Sequence, residues 1–153
     1  MFSILKELKH SKGIGIDICK KTILNAKKNL NIFKVKNRAK IFKKSVNEVF
    51  GRRFDLIVSN PPYVVKREIN RLDNDIKRFE PRLALDGGND GLDVIKKVIY
   101  KSKNILKLDG ILALEIGKGQ YFSVEKVLRK NGFRQKIIVK DYQDNIRCIF
   151  STL

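Results

Sequence analysis

Phe54-Asp55-Leu56-Ile57-Val58-Ser59 leads directly into Asn60-Pro61-Pro62-Tyr63. A short run of mostly apolar residues that is closed by two prolines is typical of a buried strand with an abrupt end. In doubly wound sheets, ligands bind beyond the carboxyl ends of the parallel strands. The stretch therefore predicts a fold class and the place of a functional site. An ordinary Pro-Pro turn, with Asn60 favoured for local reasons, is the alternative.

Helix and strand patterns alternate on both sides of this stretch. The segments before it predict a helix over the first residues, a strand from Gly13 that ends near Asp17, a helix over 20–31 and a weak strand over 39–42. Residues 64–90 have no clear periodicity and predict a long loop with one helical turn at most. The remaining patterns predict a helix over 92–106, a strand over 111–116, a helix over 120–131 and final strands over 133–140 and 146–153.

This order of elements indicates the fold class. Strands that alternate with helices, followed by two late strands, predict an α/β fold with a doubly wound, mostly parallel sheet and a terminal antiparallel strand. The 153 residues are enough for about one domain, and no repeat or linker divides them.

The chain is strongly basic, with a net charge of +18 that comes from 24 lysines and 10 arginines. An anionic partner such as RNA or a ribosome-associated factor would explain this charge. The lysines are scattered along the chain, however, and a drift of composition toward lysine, isoleucine and asparagine explains it as well. Direct nucleic-acid binding is therefore possible but not favoured, and the charge alone does not name a partner.

The cysteines and the apolar runs exclude several other classes. Cys19 and Cys148 lie far apart, and His10 is the single histidine, which excludes a His/Cys zinc site and argues against a disulfide framework. We expect no metal, two reduced and buried thiols, and a cytoplasmic protein. No apolar run is long enough for a transmembrane helix, and the first twelve residues suit a helix face better than a signal peptide.

Residues 60–63, here called the NPPY turn, carry the chemistry of the predicted site. A residue before proline is held in an extended conformation, so Asn60 is presented rigidly. The side-chain oxygen of Asn60 and the carbonyl oxygen of Pro61 are able to accept the two N–H groups of a planar, weakly nucleophilic NH2 group, while Tyr63 stacks on it. Such positioning provides most of the catalysis of a transfer to that nitrogen, with no general base needed beforehand.

Several motifs together resemble one methyltransferase family. The NPPY turn after such a strand is similar to methyltransferases that act on adenine, on the exocyclic nitrogen of guanine or on a glutamine amide. Phe79-Glu80-Pro81-Arg82-Leu83-Ala84-Leu85, with Gly88, Asp90, Gly91 and Leu92, resembles the release-factor N5-glutamine methyltransferases. Leu114-Glu115-Ile116-Gly117 with Gln120, and Lys140-Asp141 with Arg147, are similar to the tail of that family. The likeness extends over essentially the whole chain, in the same order.

The resemblance implies an enzyme that transfers a methyl group from S-adenosylmethionine to a glutamine side chain of a peptide-chain release factor, its protein partner. It implies that Asn60, Pro61 and Tyr63 are catalytic. The substrate contacts that it implies are Asn60, Pro61, Pro62, Tyr63, Glu80 and Pro81. The cofactor contacts that it implies are Asp17, Ser45, Asn47 and Asn60.

Two of the acidic residues have a second interpretation. Asp17 at the end of an early strand is suited to accept both ribose hydroxyls of S-adenosylmethionine, or else it caps the following helix. Glu115 also follows a strand, and it belongs to the site or pairs with a lysine.

Two features depart from the family pattern. Ser45, Val46 and Asn47 stand where the family has an acidic residue that contacts adenine. The first strand, the glycine-rich turn and the helical N-terminal domain of the family would come before the opening helix. We therefore expect a catalytic domain over 1–153 that is truncated at the N-terminus, with two unpaired strand edges that a separate upstream polypeptide could complete. A nucleic-acid amino-methyltransferase and a non-catalytic remnant or half of a split enzyme are the alternatives.

Overall fold

The computed structural model describes residues 1–51 and 54–153. They form two compact units, Met1–Val49 and Phe50–Leu153, and each unit has its own β-sheet.

The first unit is a small α/β unit around two parallel strands. Its elements are α1 (Phe2–Glu7), β1 (Gly13–Asp17), α2 (Lys20–Ile32), β2 (Ala39–Lys43) and a 3-10 helix (Val46–Glu48). β1 and β2 pair from Gly13 beside Ala39 to Asp17 beside Lys43, so both strands end at the same edge. A core of Leu5, Val35 and Ala39, with Met1, Phe2 and Leu30 against it, covers the sheet.

The second unit contains a four-stranded sheet. Its strands are β3 (Phe54–Ser59), β4 (Leu106–Glu115), β5 (Arg134–Lys140) and β6 (Ile146–Thr152), in the order β3-β4-β6-β5. Its helices are a 3-10 helix (Lys66–Arg71), α3 (Asn74–Phe79), α4 (Arg82–Leu85), α5 (Asp93–Ile105) and α6 (Tyr121–Lys130). Helix α5 buries Ile95, Val98 and Ile99, which recur at three- and four-residue spacing, because one face of the helix packs on the sheet.

The strand directions confirm the predicted fold class. β3 and β4 are parallel, whereas β6 is antiparallel to both β4 and β5. Three strands of this sheet therefore share one direction, and the last strand in the sequence alone reverses it. β6 lies inside the sheet because it inserts between β4 and β5.

The prediction for residues 64–90 is wrong in part, since this segment contains the 3-10 helix, α3 and α4. Each has four to six residues, which is too short for a helical period to be visible in the sequence. The strand expected to begin at 111 also begins earlier, at Leu106, directly after α5. Its pairing with β3 is irregular between Phe54 and Leu56, which accommodates Asp109 and Gly110 within the strand.

Both cysteines are free, as predicted. Each is half-buried, whereas the sequence predicted buried thiols. Cys19 lies at the start of α2, and Cys148 lies in β6. Among the described residues, no helix is long and apolar enough to span a membrane.

Candidate functional site

The NPPY turn begins where β3 ends. Pro61 is buried and anchors the backbone, whereas Asn60 is exposed. No hydrogen bond joins the Asn60 side chain to another residue that the structure describes. Because Ser59 pairs with Leu114, Asn60, which follows β3, and Glu115, the last residue of β4, lie at the same edge of the sheet. The structure therefore presents a free amide at the edge where a doubly wound sheet binds ligands.

The Tyr63 side chain is held by Arg147. The hydroxyl oxygen of Tyr63 accepts a hydrogen bond of 2.9 Å from Nη2 of Arg147, and the guanidinium carbon lies 5.4 Å from the centre of the ring. Arg147 also lies 3.7 Å from a carboxylate oxygen of Glu115 and 3.9 Å from one of Asp141. Glu115 thus faces an arginine and not a lysine. Two carboxylates keep the guanidinium beside the ring, which restricts Tyr63.

Asp141 is held in its charged form. Desolvation raises the pKa of this carboxyl, but hydrogen bonds from the backbone N–H groups of Asn145 and Gln143 outweigh it, so the pKa lies below its usual value. Those hydrogen bonds are 3.0 Å and 2.9 Å long. Asp141 therefore stays anionic near neutral pH beside Arg147.

Backbone hydrogen bonds tie the turn to the end of the 64–90 segment. Val64 N–H donates to the Leu85 carbonyl, and Gly87 N–H donates to the Val64 carbonyl, each at 2.9 Å. A Cβ atom at Gly87 would lie 2.9 Å from Tyr63 Cα and 2.8 Å from the Gly91 carbonyl oxygen, so only glycine fits this close approach. The two ends of the segment are therefore fixed against the NPPY turn.

Glu80 and Pro81, the other predicted substrate contacts, lie between α3 and α4. Both are exposed, and no hydrogen bond or ion pair among the described residues joins their side chains to the turn. They lie on the same segment as Leu85 and Gly87, the backbone partners of Val64.

Gln120 is a contact of the turn that local sequence patterns do not reveal. Its Nε2 donates to the Tyr63 carbonyl at 3.0 Å and to the Gly91 carbonyl at 3.2 Å, while its Oε1 accepts the Gly117 N–H at 2.9 Å. The resemblance drew attention to this residue but assigned it no role. Its partners at Tyr63 and Gly91 are 57 and 29 residues away, beyond any local pattern.

The predicted cofactor contacts Asp17, Ser45 and Asn47 lie together in the first unit, at the carboxyl ends of β1 and β2. Asp17 is half-buried, and one of its carboxylate oxygens accepts the Cys19 N–H at 2.7 Å. The Asp17 carbonyl accepts the Lys44 N–H at 3.0 Å. Asp17 thus holds the residue before α2, but it is not the N-cap of that helix, which is Cys19 and has no side-chain cap hydrogen bond. The second carboxylate oxygen of Asp17 has no hydrogen bond among the described residues.

Ser45 starts the 3-10 helix that contains Asn47. The Ser45 hydroxyl accepts the Asn47 N–H at 3.3 Å, and the Ser45 N–H donates to the Glu48 carboxylate at 2.7 Å. This exchange resembles a capping box and gives Ser45 a structural task. The Ser45 hydroxyl still has a proton to donate, and Asn47 is exposed.

Comparison with known proteins adds a family match. Residues 3–148 match the family model described as Eco57I restriction-modification methylase. The chain is 39% identical to the release factor glutamine methyltransferase of Fusobacterium nucleatum subsp. nucleatum, over 97% of this chain and 42% of that protein. It is 34% identical to the one of Caulobacter vibrioides, over 97% of this chain and 52% of that protein. The motifs predicted this resemblance. The chain spans about half the length of these curated relatives.

Solved structures agree on the fold. The ribosomal protein L11 methylase of Lactobacillus delbrueckii subsp. bulgaricus superposes with a TM-score of 0.67 at 16% identity, covering 99% of this chain and 64% of that one. A SAM-dependent methyltransferase from Aquifex aeolicus gives 0.63 at 15% identity, covering 97% of this chain and 73% of that one. At such identities the likeness supports a Rossmann-like methyltransferase fold alone.

Proposed function

The chain belongs to the Eco57I restriction-modification methylase family, and from that premise we propose that it carries the catalytic part of a cytoplasmic release factor glutamine methyltransferase. The proposed reaction moves a methyl group from S-adenosylmethionine to the side-chain amide nitrogen of a glutamine in a peptide-chain release factor. The observation that carries the proposal is the NPPY turn, in which an exposed Asn60 directly follows β3 and is itself followed by a buried Pro61. The two curated relatives bear the name of this activity.

The geometry of the turn suits an amide substrate. The Asn60 side-chain oxygen and the Pro61 carbonyl each accept one N–H of the glutamine amide, and the Tyr63 ring packs against its plane. An amide nitrogen is a poor nucleophile, so fixing its distance and direction relative to the methyl group is the main requirement. The proton leaves after transfer, because the alkylated nitrogen is acidic, and no histidine is required. Pro62, Glu80 and Pro81 extend the surface that contacts the substrate protein.

The residues of the first unit fit the cofactor. S-adenosylmethionine supplies an electrophilic methyl group when it is bound. Asp17 has one carboxylate oxygen committed to Cys19, and the other is able to accept ribose hydroxyls. Ser45 and Asn47 contribute a hydroxyl and an amide near the same strand ends, in place of the acidic residue of the family pattern.

The strand edges favour a further polypeptide segment. Among the described residues, β1 pairs with β2 alone, and β3 pairs with β4 alone. β3 also exposes 38% of Leu56 and 56% of Val58, although its apolar sequence is typical of a covered strand. We propose that an upstream segment, on the same or on a separate polypeptide, pairs with the unpaired edge of β1 or of β3.

A nucleic-acid amino-methyltransferase is the second candidate, because one observation favours it. Residues 1–49 contain thirteen lysines and arginines against three acidic residues. Among the described residues, none of these lysines and arginines forms an ion pair. An unpaired basic surface attracts polyanions. A non-catalytic remnant would keep these surfaces without transferring a methyl group.

The test is a transfer assay with radiolabelled S-adenosylmethionine and three acceptors: a release factor, the same factor with its target glutamine replaced by alanine, and a mixture of DNA and RNA. Each acceptor is assayed with the chain alone and with the upstream part of a relative added. Label in the first acceptor only is the expected result. Label in nucleic acid would favour the second candidate, and no label in any assay would favour the remnant.

A further inference from the structure

The side chain of Gln120 joins three segments of the second unit. It lies at the N-terminal boundary of α6 and is half-buried. Its amide uses three of its four hydrogen-bonding positions on backbone groups, namely the carbonyls of Tyr63 and Gly91 and the N–H of Gly117. These groups belong to the NPPY turn, to the loop before α5 and to the loop after β4. One side chain therefore fixes the spacing of three loops.

Little free space surrounds this amide. A Cβ atom at Gly91 would lie 2.7 Å from Gln120 Nε2, and one at Gly117 would lie 2.9 Å from Gln120 Oε1. The glycines at these positions let the backbones approach the amide closely enough for hydrogen bonds. The Gln120 amide is therefore in close contact with the backbone on both of its sides, at Gly91 and at Gly117.

The NPPY turn has a particular need for such a contact. Proline has no backbone N–H, so residues 61 and 62 cannot anchor the turn by donating hydrogen bonds. The Pro61 carbonyl is reserved for the substrate in the proposed function. The Tyr63 carbonyl is the group through which Gln120 anchors the turn, while Arg147 holds the Tyr63 hydroxyl.

We propose that Gln120 is a positioning residue, which sets the orientation of Asn60 and of the Pro61 carbonyl through the backbone of Tyr63. The inference rests on the proposed function. Gln120 touches neither substrate nor cofactor in this scheme, and it acts on the rate of transfer through the geometry of the acceptor site. By holding Gly91 as well, it couples that geometry to the end of the 64–90 segment.

The decisive variant is Gln120→Glu. A carboxylate still accepts the Gly117 N–H but has no N–H to donate, and it places negative charge against the carbonyl oxygens of Tyr63 and Gly91. Gln135→Glu is the matched control, because it makes the same change of charge at an exposed residue of the same unit, and a carboxylate still accepts the hydrogen bond of the Tyr121 hydroxyl there. Gln120→Ala removes both kinds of hydrogen bond without adding charge.

Each variant is compared with the wild type under conditions in which the wild type transfers methyl groups. We expect kcat to fall at least tenfold in Gln120→Glu and Gln120→Ala, since small misplacements of reacting groups have large effects on rate. We expect the affinity for S-adenosylmethionine to change less than twofold, and Gln135→Glu to behave as the wild type. Hydrogen exchange should become faster at the N–H groups of Val64 and Gly87, which flank the turn.

Three results would overturn the inference. A kcat within twofold of the wild type despite faster exchange at Val64 would show that the turn needs no such anchor. A loss that is explained by a fall in melting temperature and disappears on cooling would assign Gln120 a structural role alone. If the wild type methylates no glutamine in any preparation, the proposed function fails and the inference falls with it, whatever the exchange data show.

Discussion

Asn60 directly follows β3, and the next residue, Pro61, is buried. The backbone of Asn60 is therefore anchored while its side chain reaches solvent. Tyr63, three residues on, is fixed at its hydroxyl by Arg147 and at its carbonyl by Gln120. At the scale of single residues, the candidate site is therefore a short rigid segment with one free amide. Rigidity of this kind lowers the cost of orienting a substrate.

Replacing Asn60 by alanine should nearly abolish methyl transfer while cofactor binding persists. The loss of a preorganised polar group costs a factor on the order of one hundred or more in rate. The measurement is kcat for transfer to a release factor, with cofactor affinity determined by calorimetry. Asn89→Ala, at another exposed asparagine of the same unit, is the control. Wild-type turnover in Asn60→Ala would contradict the assignment.

Asp17→Asn should weaken S-adenosylmethionine binding by about tenfold or more, with little change in the maximal rate, because a charge-assisted hydrogen bond contributes roughly 1.5–3 kcal/mol. Asparagine keeps an oxygen that accepts the Cys19 N–H, so the start of α2 survives. Calorimetry measures the affinity, and Glu7→Gln provides a neutralised carboxylate elsewhere in the first unit. Unchanged affinity would leave Asp17 with its structural role alone.

Gly91→Ala should destabilise the protein more than Gly119→Ala. Both glycines have positive φ angles, +73° and +79°, so alanine meets the same backbone strain of roughly 1–2 kcal/mol at either position. At Gly91 the new Cβ would also lie 2.6 Å from the Tyr63 carbonyl oxygen, whereas nothing lies within 4 Å at Gly119. The additional loss should be about 1–3 kcal/mol in the free energy of unfolding, measured in urea. Equal losses would show that the contact relaxes freely.

At the scale of elements, the 64–90 segment combines fixed ends with an exposed middle. Val64, Lys66 and Gly87 donate backbone hydrogen bonds that close its base. Between them, the short helices expose 73% of Phe79 and 62% of Leu83 and have no buried residue besides Ile69. The segment therefore has few apolar anchors of its own, which suits a surface that becomes ordered on a protein substrate.

Amide hydrogen exchange should separate these two parts of the segment. We expect the N–H groups of residues 67–84 to exchange fastest within the second unit, and those of Val64 and Gly87 to exchange as slowly as β3. Adding a release factor should slow the middle. The measurement is exchange followed by mass spectrometry, with helix α6 as the internal reference. Slow exchange across 67–84 in the isolated protein would refute the prediction.

At the scale of the whole molecule, the described residues form two sheets. β1 is an edge strand of the first sheet and β3 is an edge strand of the second, and each has one unpaired side among the described residues. Unpaired backbone groups on an apolar strand attract another strand. The curated relatives are about twice as long as the chain. We expect the partner strand to come from a segment like those that lie outside the match in these relatives.

The chain alone should therefore bind S-adenosylmethionine weakly and self-associate, and an added upstream segment should reverse both properties. The test mixes the chain with the part of the Fusobacterium protein that precedes the matched region. Calorimetry should show at least a tenfold gain in affinity, and light scattering should show loss of the larger species. The same segment with a proline in its strand is the control. Micromolar affinity and a monomeric state of the chain alone would contradict the prediction.

Local patterns determined most of the elements and the place of the NPPY turn at the end of β3. Short apolar runs predicted β1, β3 and the final strands, because such runs between turn residues are typical of strands whether or not both faces are covered. The three- and four-residue spacing predicted α5, since one face of this helix is buried. The position of Asn60 at a strand end followed from the prolines, which act on the backbone beside them.

Only the tertiary structure decided which groups meet in the second unit. Gln120 and Arg147 contact Tyr63 from 57 and 84 residues away, and the position of β6 between β4 and β5 brings Arg147 there. The helices of the 64–90 segment were also missed, because they are shorter than the period by which a helix is recognised. Side-chain patterns report the burial of a residue and the shape of its own backbone. Its distant partners depend on how the elements pack, which is a property of the whole chain.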